Sequence, residues 1–111
     1  MSMVHSETTS GILNDIASVA KVVKGAGKTF IVDAMSSFGG VDIPVGELGI
    51  DFIISSANKC IQGVPGFSFI ICRKDKLLES RGKPEVCLWI CTSSGKPWTK
   101  TANGDSHLPP M

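Results

Sequence analysis

Asp51-Phe52-Ile53-Ile54-Ser55-Ser56-Ala57-Asn58-Lys59-Cys60-Ile61-Gln62-Gly63-Val64-Pro65-Gly66 is the stretch on which the reading of this chain turns. An apolar run stops at small polar residues, and a Gly/Pro-rich loop holding one lysine follows. A short apolar run bounded by turn residues reads as a buried strand, and open α/β sheets bind ligands beyond the carboxyl ends of their strands. Two readings of Lys59 follow. A loop that keeps the lysine among uncharged neighbours, partly out of water, weakens its preference for the ammonium form and makes it a nucleophile toward a carbonyl. Alternatively, it is an ordinary lysine on a surface turn.

A second apolar run, Thr29-Phe30-Ile31-Val32-Asp33, ends on a carboxylate 26 residues before Lys59. The segment Ala34 to Ile50 is long enough for a crossover to a parallel neighbouring strand. Asp33 and Lys59 then share one edge of one sheet. Adjacent strands lie about 4.8 Å apart, close to the span of a substituted pyridine ring. One strand can offer a carboxylate to the ring nitrogen while the next brings an amine to an aldehyde across the ring, as pyridoxal phosphate chemistry requires.

Three segments carry a family resemblance: His5-Ser6-Glu7-Thr8-Thr9-Ser10-Gly11-Ile12-Leu13-Asn14, Val32-Asp33-Ala34-Met35-Ser36-Ser37-Phe38-Gly39-Gly40, and Ser56-Ala57-Asn58-Lys59-Cys60-Ile61-Gln62-Gly63. In order and spacing they resemble the class V pyridoxal-phosphate aminotransferases, over about Val4 to Gly82. The resemblance implies an α/β fold: part of the fold-type I large domain, with a mostly parallel sheet, one antiparallel strand and covering helices. It implies pyridoxal 5'-phosphate as cofactor, Lys59 as the Schiff-base lysine, Asp33 on the ring nitrogen and Thr8 on the phenolic oxygen. Met35 and Ser56 are expected to line the same site.

The branch it most resembles moves the amino group of 2-aminoethylphosphonate to pyruvate, giving phosphonoacetaldehyde and alanine. The partners implied are a small-molecule amino donor and pyruvate, with a homodimer for full-length members. Another class V aminotransferase, such as an alanine-glyoxylate type, is one alternative. A truncated, catalytically inactive isoform is another, because the family's phosphate-binding loop and substrate-binding arginine fall outside the matching segments. From about Pro84 the pattern departs from the family. Residues 1–83 are therefore read as a domain fragment that the chain enters partway, and 84–111 as a divergent, poorly structured tail of altered or natural origin.

Ile12, Leu13, Ile16, Val19, Ala20 and Val23 recur at helical spacing. They predict an amphipathic helix capped at Thr9 or Ser10 and stopped by Gly25-Ala26-Gly27. Val45 to Ile50 predicts a short helical turn, Gly66 to Cys72 a third strand and Lys74 to Glu79 a short helix. The short connection from Ser55 to Gly66 agrees with an antiparallel third strand, since a parallel return needs a longer crossover. Gly25-Ala26-Gly27-Lys28-Thr29 is no phosphate loop, because Val22 stands where the motif needs its first glycine and the strand follows the loop.

The 111 residues suffice for one small domain, and 42% hydrophobic residues suits a globular chain. A net charge of +1 gives no field for nucleic acid or an anionic membrane. No apolar run reaches membrane-span length, and no targeting segment is visible, so a cytoplasmic setting is expected. The four cysteines lack zinc spacing and a secreted framework; reduced thiols and no metal are expected.

Overall fold

The apolar runs become strands, and the glycines and short polar residues become the turns between them. The computed structural model of the chain describes residues 1–80. The elements are β1 (Ser2–Val4), α1 (Ile16–Gly25), β2 (Ile31–Asp33), β3 (Phe52–Ser56), β4 (Ser68–Cys72) and α2 (Lys74–Glu79). The divergence expected at Pro84, and the 84–111 tail, lie outside the described residues.

The four strands form one sheet in the order β1-β2-β3-β4. β1, β2 and β3 are parallel, in register through Val4, Asp33 and Ile54. β4 runs antiparallel to β3, with Ser56 opposite Ser68 and Phe52 opposite Cys72. The mixed sheet, the crossover from Ala34 and the reversed third run therefore follow the sequence reading.

Side chains alternate across the sheet, and the register puts Met3, Val32 and Ile53 on one face. There Val32 and Ile53 join Ile16, Ala20 and Val23 of α1, together with Phe30, Ala34 and Ile50, in the core. Phe38, Ile43, Val45 and Leu48 of the β2–β3 crossover pack against the same cluster. Burial of a side chain such as Phe30 or Ile53, each almost wholly inaccessible, stabilises by about 1.5–3 kcal/mol. The opposite face carries Val4, Ile31, Phe52 and Ile54, none of them fully buried.

The helix differs from expectation at its start. It begins at Ile16, and its cap is Asp15, whose carboxylate accepts the Ser18 amide at 3.0 Å and the Ser18 hydroxyl at 2.6 Å. These bonds hold the Asp15 carboxyl below its ordinary range. Thr9 and Ser10 serve a loop instead: Thr9 Oγ1 donates to Glu7 Oε1, and Ser10 Oγ accepts the Ile12 amide. Gly11 takes φ +70°, outside helical space, and its amide donates to Glu7 O at 2.8 Å. The chain folds back, pairing Ser6 with Leu13, and leaves Ile12 and Leu13 exposed. At the other end Gly27, φ +64°, supplies the expected stop, its amide donating to Lys24 O.

Asp51 is charged and fully buried. Its Oδ2 accepts Lys24 Nζ and the Phe30 amide, each at 2.8 Å, and Oδ1 lies 3.5 Å from Arg73 Nη1. Its amide donates to Phe30 O, and its carbonyl accepts the Arg73 amide. Burial pushes the carboxyl up, but the hydrogen bonds from Lys24 and Phe30 and the charges of Lys24 and Arg73 outweigh it and bring it below the ordinary value. A second compact unit begins at Lys74. Within it, α2 carries a Lys76–Glu79 ion pair at 2.7 Å, and Ser80 Oγ donates to Leu77 O.

Asp51→Ala should lower the stability of the chain by about 3 kcal/mol, the scale for removing one partner of a buried ionic group. Lys24→Met should cost less, because the Lys24 side chain is 30% exposed and Asp51 keeps its other donors. Urea unfolding at pH 7 measures both. The Asp51 contribution is present above the unfolded carboxyl pKa of about 3.9. It is lost as pH falls through the lower folded value, so the gap between parent and Asp51→Ala should narrow in acid.

Candidate active site

Three parallel strands end at one edge, and each hands the chain to a polar residue there. His5 follows β1, and its amide donates to Asp33 O at 2.8 Å. Asp33 closes β2; its Oδ1 accepts the Met35 amide at 2.9 Å, and Oδ2 has no partner among the described residues. Ser56 closes β3. By strand alternation Asp33 and Ser56 lie on the face turned away from α1. Ser56 Oγ is the only buried side-chain nitrogen or oxygen without a hydrogen-bond partner among the described residues.

The loops that follow are joined by side chains. Thr8 Oγ1 and Ser36 Oγ share a hydrogen bond at 2.6 Å. His5 Nδ1 and Ser37 Oγ share one at 2.9 Å, both residues being buried. Burial lowers the pKa of His5 and so favours the neutral ring. Ala34 O accepts the amides of Ser37 and Phe38, which fixes the turn between those contacts.

Lys59 sits in the loop between β3 and β4. Gly63 N donates to Ala57 O at 2.7 Å and Gln62 N to Lys59 O at 2.8 Å, with Gln62 at φ +59°. This loop rests on the turn after Asp33. Cys60 Sγ reaches Ser36 O at 3.3 Å, and a Cβ on Gly40 would meet that sulfur at 2.8 Å and the Cys60 Cβ at 3.1 Å. Phe38 and Phe69 meet edge to face, 5.6 Å between centroids, on the side of the sheet nearer the crossover. Lys59 itself is exposed. The partial removal from water that the sequence suggested is not seen among the described residues.

The edge thus offers a carboxylate with one oxygen unpaired among the described residues, an unpaired buried hydroxyl and the Thr8 hydroxyl, with an exposed amine on the loop beside them. That donor set fits pyridoxal phosphate, which has a basic ring nitrogen, a phenolic oxygen and an aldehyde. Met35 enters through its backbone, as the donor that orients Asp33. His5, Ser36 and Ser37 stand in the quoted motifs, but no local spacing marks them as contacts, because their partners lie 28 to 32 residues away. Cys60 and Cys72 are free thiols, and burial raises the pKa of Cys72. Among the described residues no cluster of His, Cys, Asp or Glu could hold a metal ion, and no helix is long and apolar enough to cross a membrane.

The family model for class V aminotransferases matches residues 1–85. The chain belongs to the class V aminotransferases. It is 60% identical over 83 residues to a 2-aminoethylphosphonate–pyruvate transaminase of Bacillus cereus, covering 75% of this chain and 23% of that one. It is 63% identical over 82 residues to the enzyme of the same name from Bacteroides fragilis, covering 74% and 23%. The chain thus spans about a quarter of the length of these curated relatives. Among solved structures, an alanine–glyoxylate aminotransferase from Nostoc sp. aligns with TM-score 0.76 and 25% identity, covering 96% of this chain and 29% of that one. A pyridoxamine-pyruvate aminotransferase from Mesorhizobium loti aligns with TM-score 0.68 and 30% identity, covering 75% and 21%. The partial large-domain fold expected for a class V member is the fold observed.

Gly40→Ala should displace the Lys59 loop and cost about 1–3 kcal/mol, as overpacking does. Adding Cys60→Gly should recover much of the loss; thermal unfolding of the single and double variants measures it. For His5, the folded pKa lies below the unfolded value of about 6.5. Stability should therefore hold above that pH and decline as pH falls below it, and His5→Phe should flatten this part of the profile.

Proposed function

We propose that this chain carries the central piece of a transaminase site that moves the amino group of 2-aminoethylphosphonate to pyruvate, giving phosphonoacetaldehyde and alanine. The observation that carries the reading is one edge of the sheet. There Asp33 keeps a carboxylate oxygen open, the buried Ser56 hydroxyl lacks a partner, and the loop bearing Lys59 lies against the turn after Asp33. The identity to two transaminases of that name supports the choice of substrates over the alanine–glyoxylate alternative.

Pyridoxal phosphate, when bound, supplies a conjugated ring that accepts the electron pair left as a proton departs from the substrate carbon. The chain's own residues do the rest. Asp33 holds a proton at the ring nitrogen through its open Oδ2, with the Met35 amide fixing Oδ1 so that the carboxylate cannot rotate away. Thr8 orients the phenolic oxygen, its hydroxyl steadied by Ser36. Ser56 supplies the hydroxyl that a buried polar group of the ligand would satisfy, since leaving it unmade costs about 1–3 kcal/mol. Lys59 would hold the aldehyde end of the ligand through its amine, with water as the leaving group, and the amine set free by the amino substrate would carry a proton at Nζ. Full-length members are expected to be homodimers.

The exposure of Lys59 favours a second reading for this stretch alone: it holds the ligand feebly and does not turn over. One experiment covers both. The chain is mixed with pyridoxal phosphate, reduced with borohydride, and the modified peptide found by mass. Modification confined to Lys59 and lost in Lys59→Ala supports the site; modification spread over all lysines removes it. Asp33→Asn should leave labelling of Lys59 within about threefold while slowing any half-reaction with 2-aminoethylphosphonate by at least about a hundredfold, the scale of lost electrostatic stabilisation. Equal losses in both would give Asp33 a structural task.

A further inference from the structure

The His5–Ser37 pair is buried and polar, and no step described above uses it. A buried hydrogen-bonded pair contributes little net stability, and an apolar pair of the same shape serves a core as well. What the polar pair does supply is a fixed geometry. We propose that His5 and Ser37 are positioning residues that lock the Asp33 carboxylate in the orientation the site needs.

The connection is continuous. Asp33 is held on its backbone side by the His5 amide, which donates to Asp33 O at 2.8 Å, and on its side-chain side by the Met35 amide, which donates to Oδ1 at 2.9 Å. Met35 lies within the turn closed by the Ser37 and Phe38 amides on Ala34 O. That turn is pinned at Ser37 by the imidazole of His5, Nδ1 to Oγ at 2.9 Å. One residue therefore grips both sides of Asp33: His5 through its amide directly, and through its ring by way of Ser37 and the turn. Ser37 is 1% and His5 5% exposed, so water does not compete for the bond. Burial disfavours the charged ring. Without the ring contact the turn keeps its bonds at Ala34 O and Ser36 but loses its buried hold at Ser37, and the Met35 amide is held less firmly.

This inference rests on the reading of Asp33 as the ligand's partner, but its decisive test needs no ligand. Amide hydrogen exchange of the whole chain is compared between the parent, His5→Phe and the milder Ser37→Ala. In both variants the Met35 amide should exchange roughly three- to tenfold faster, the scale of one lost hydrogen bond. The Asp51 amide, bonded to Phe30 O at the far edge, should change by less than about twofold. Unchanged Met35 exchange overturns the proposal, and so does equal acceleration of Met35 and Asp51, which would mean general destabilisation. With pyridoxal phosphate added, Ser37→Ala should shift the visible absorption of the bound ligand in the direction given by Asp33→Asn, by a smaller amount; an opposite shift also overturns it. Failure of the parent chain to take up pyridoxal phosphate counts against the proposed function, while the exchange comparison still decides the role of His5 and Ser37.

Discussion

The carboxylate of Asp51, sealed from water, is the constraint on which the sheet depends. It receives the ammonium of Lys24 at the end of α1, the amide of Phe30 before β2 and the guanidinium of Arg73 after β4. Taking a carboxylate out of water costs several kcal/mol, and only multiple donors offset it. Because those donors come from three different parts of the chain, the charge is satisfied only when helix, crossover and reversed strand arrive together. Apolar contacts would tolerate some sliding; this junction does not.

Asp51 works at the amino edge of the parallel strands, whereas the polar groups of the candidate site gather at the carboxyl edge. The buried ionic junction and the candidate site thus lie at opposite ends of the same strands. Between them lie only three to five residues of each strand, so the distance from anchor to site is short. The crossover from Ala34 to Asp51 touches both ends. Its first turn orients Asp33 and supports the Lys59 loop, and its later apolar residues cover the core.

The architecture was legible where apolar runs end in turn residues. β2, β3 and β4 follow from that rule, and the short link between β3 and β4 gives the reversal. The start of α1 was not legible, because Ile12 and Leu13 continue the helical spacing by coincidence. The left-handed conformation of Gly11 decides the matter, and periodicity does not weigh it. Asp33 and Ser56 were legible as strand ends, with Thr8 and Lys59 in the loops after β1 and β3; what they do toward a ligand belongs to the proposed function. The exposure of Lys59 and the pairs His5–Ser37 and Thr8–Ser36 were not legible, since bonds across 28 to 32 residues leave no trace in spacing. The burial of Asp51 was not legible either, because the three donors that offset it converge from distant parts of the chain.

The reversal of β4 has a further consequence for the amine it borders. Ser56 and Ser68 face each other across the ladder, so the intervening segment leaves the sheet and returns to it at neighbouring points. A segment closed in this way has already lost the entropy of bringing its ends together. Its Gly63–Ala57 hydrogen bond and the support of Gly40 confine it further. A side chain on such a segment searches a small volume, and its effective concentration toward anything bound at the same edge exceeds that of a lysine on a free chain end.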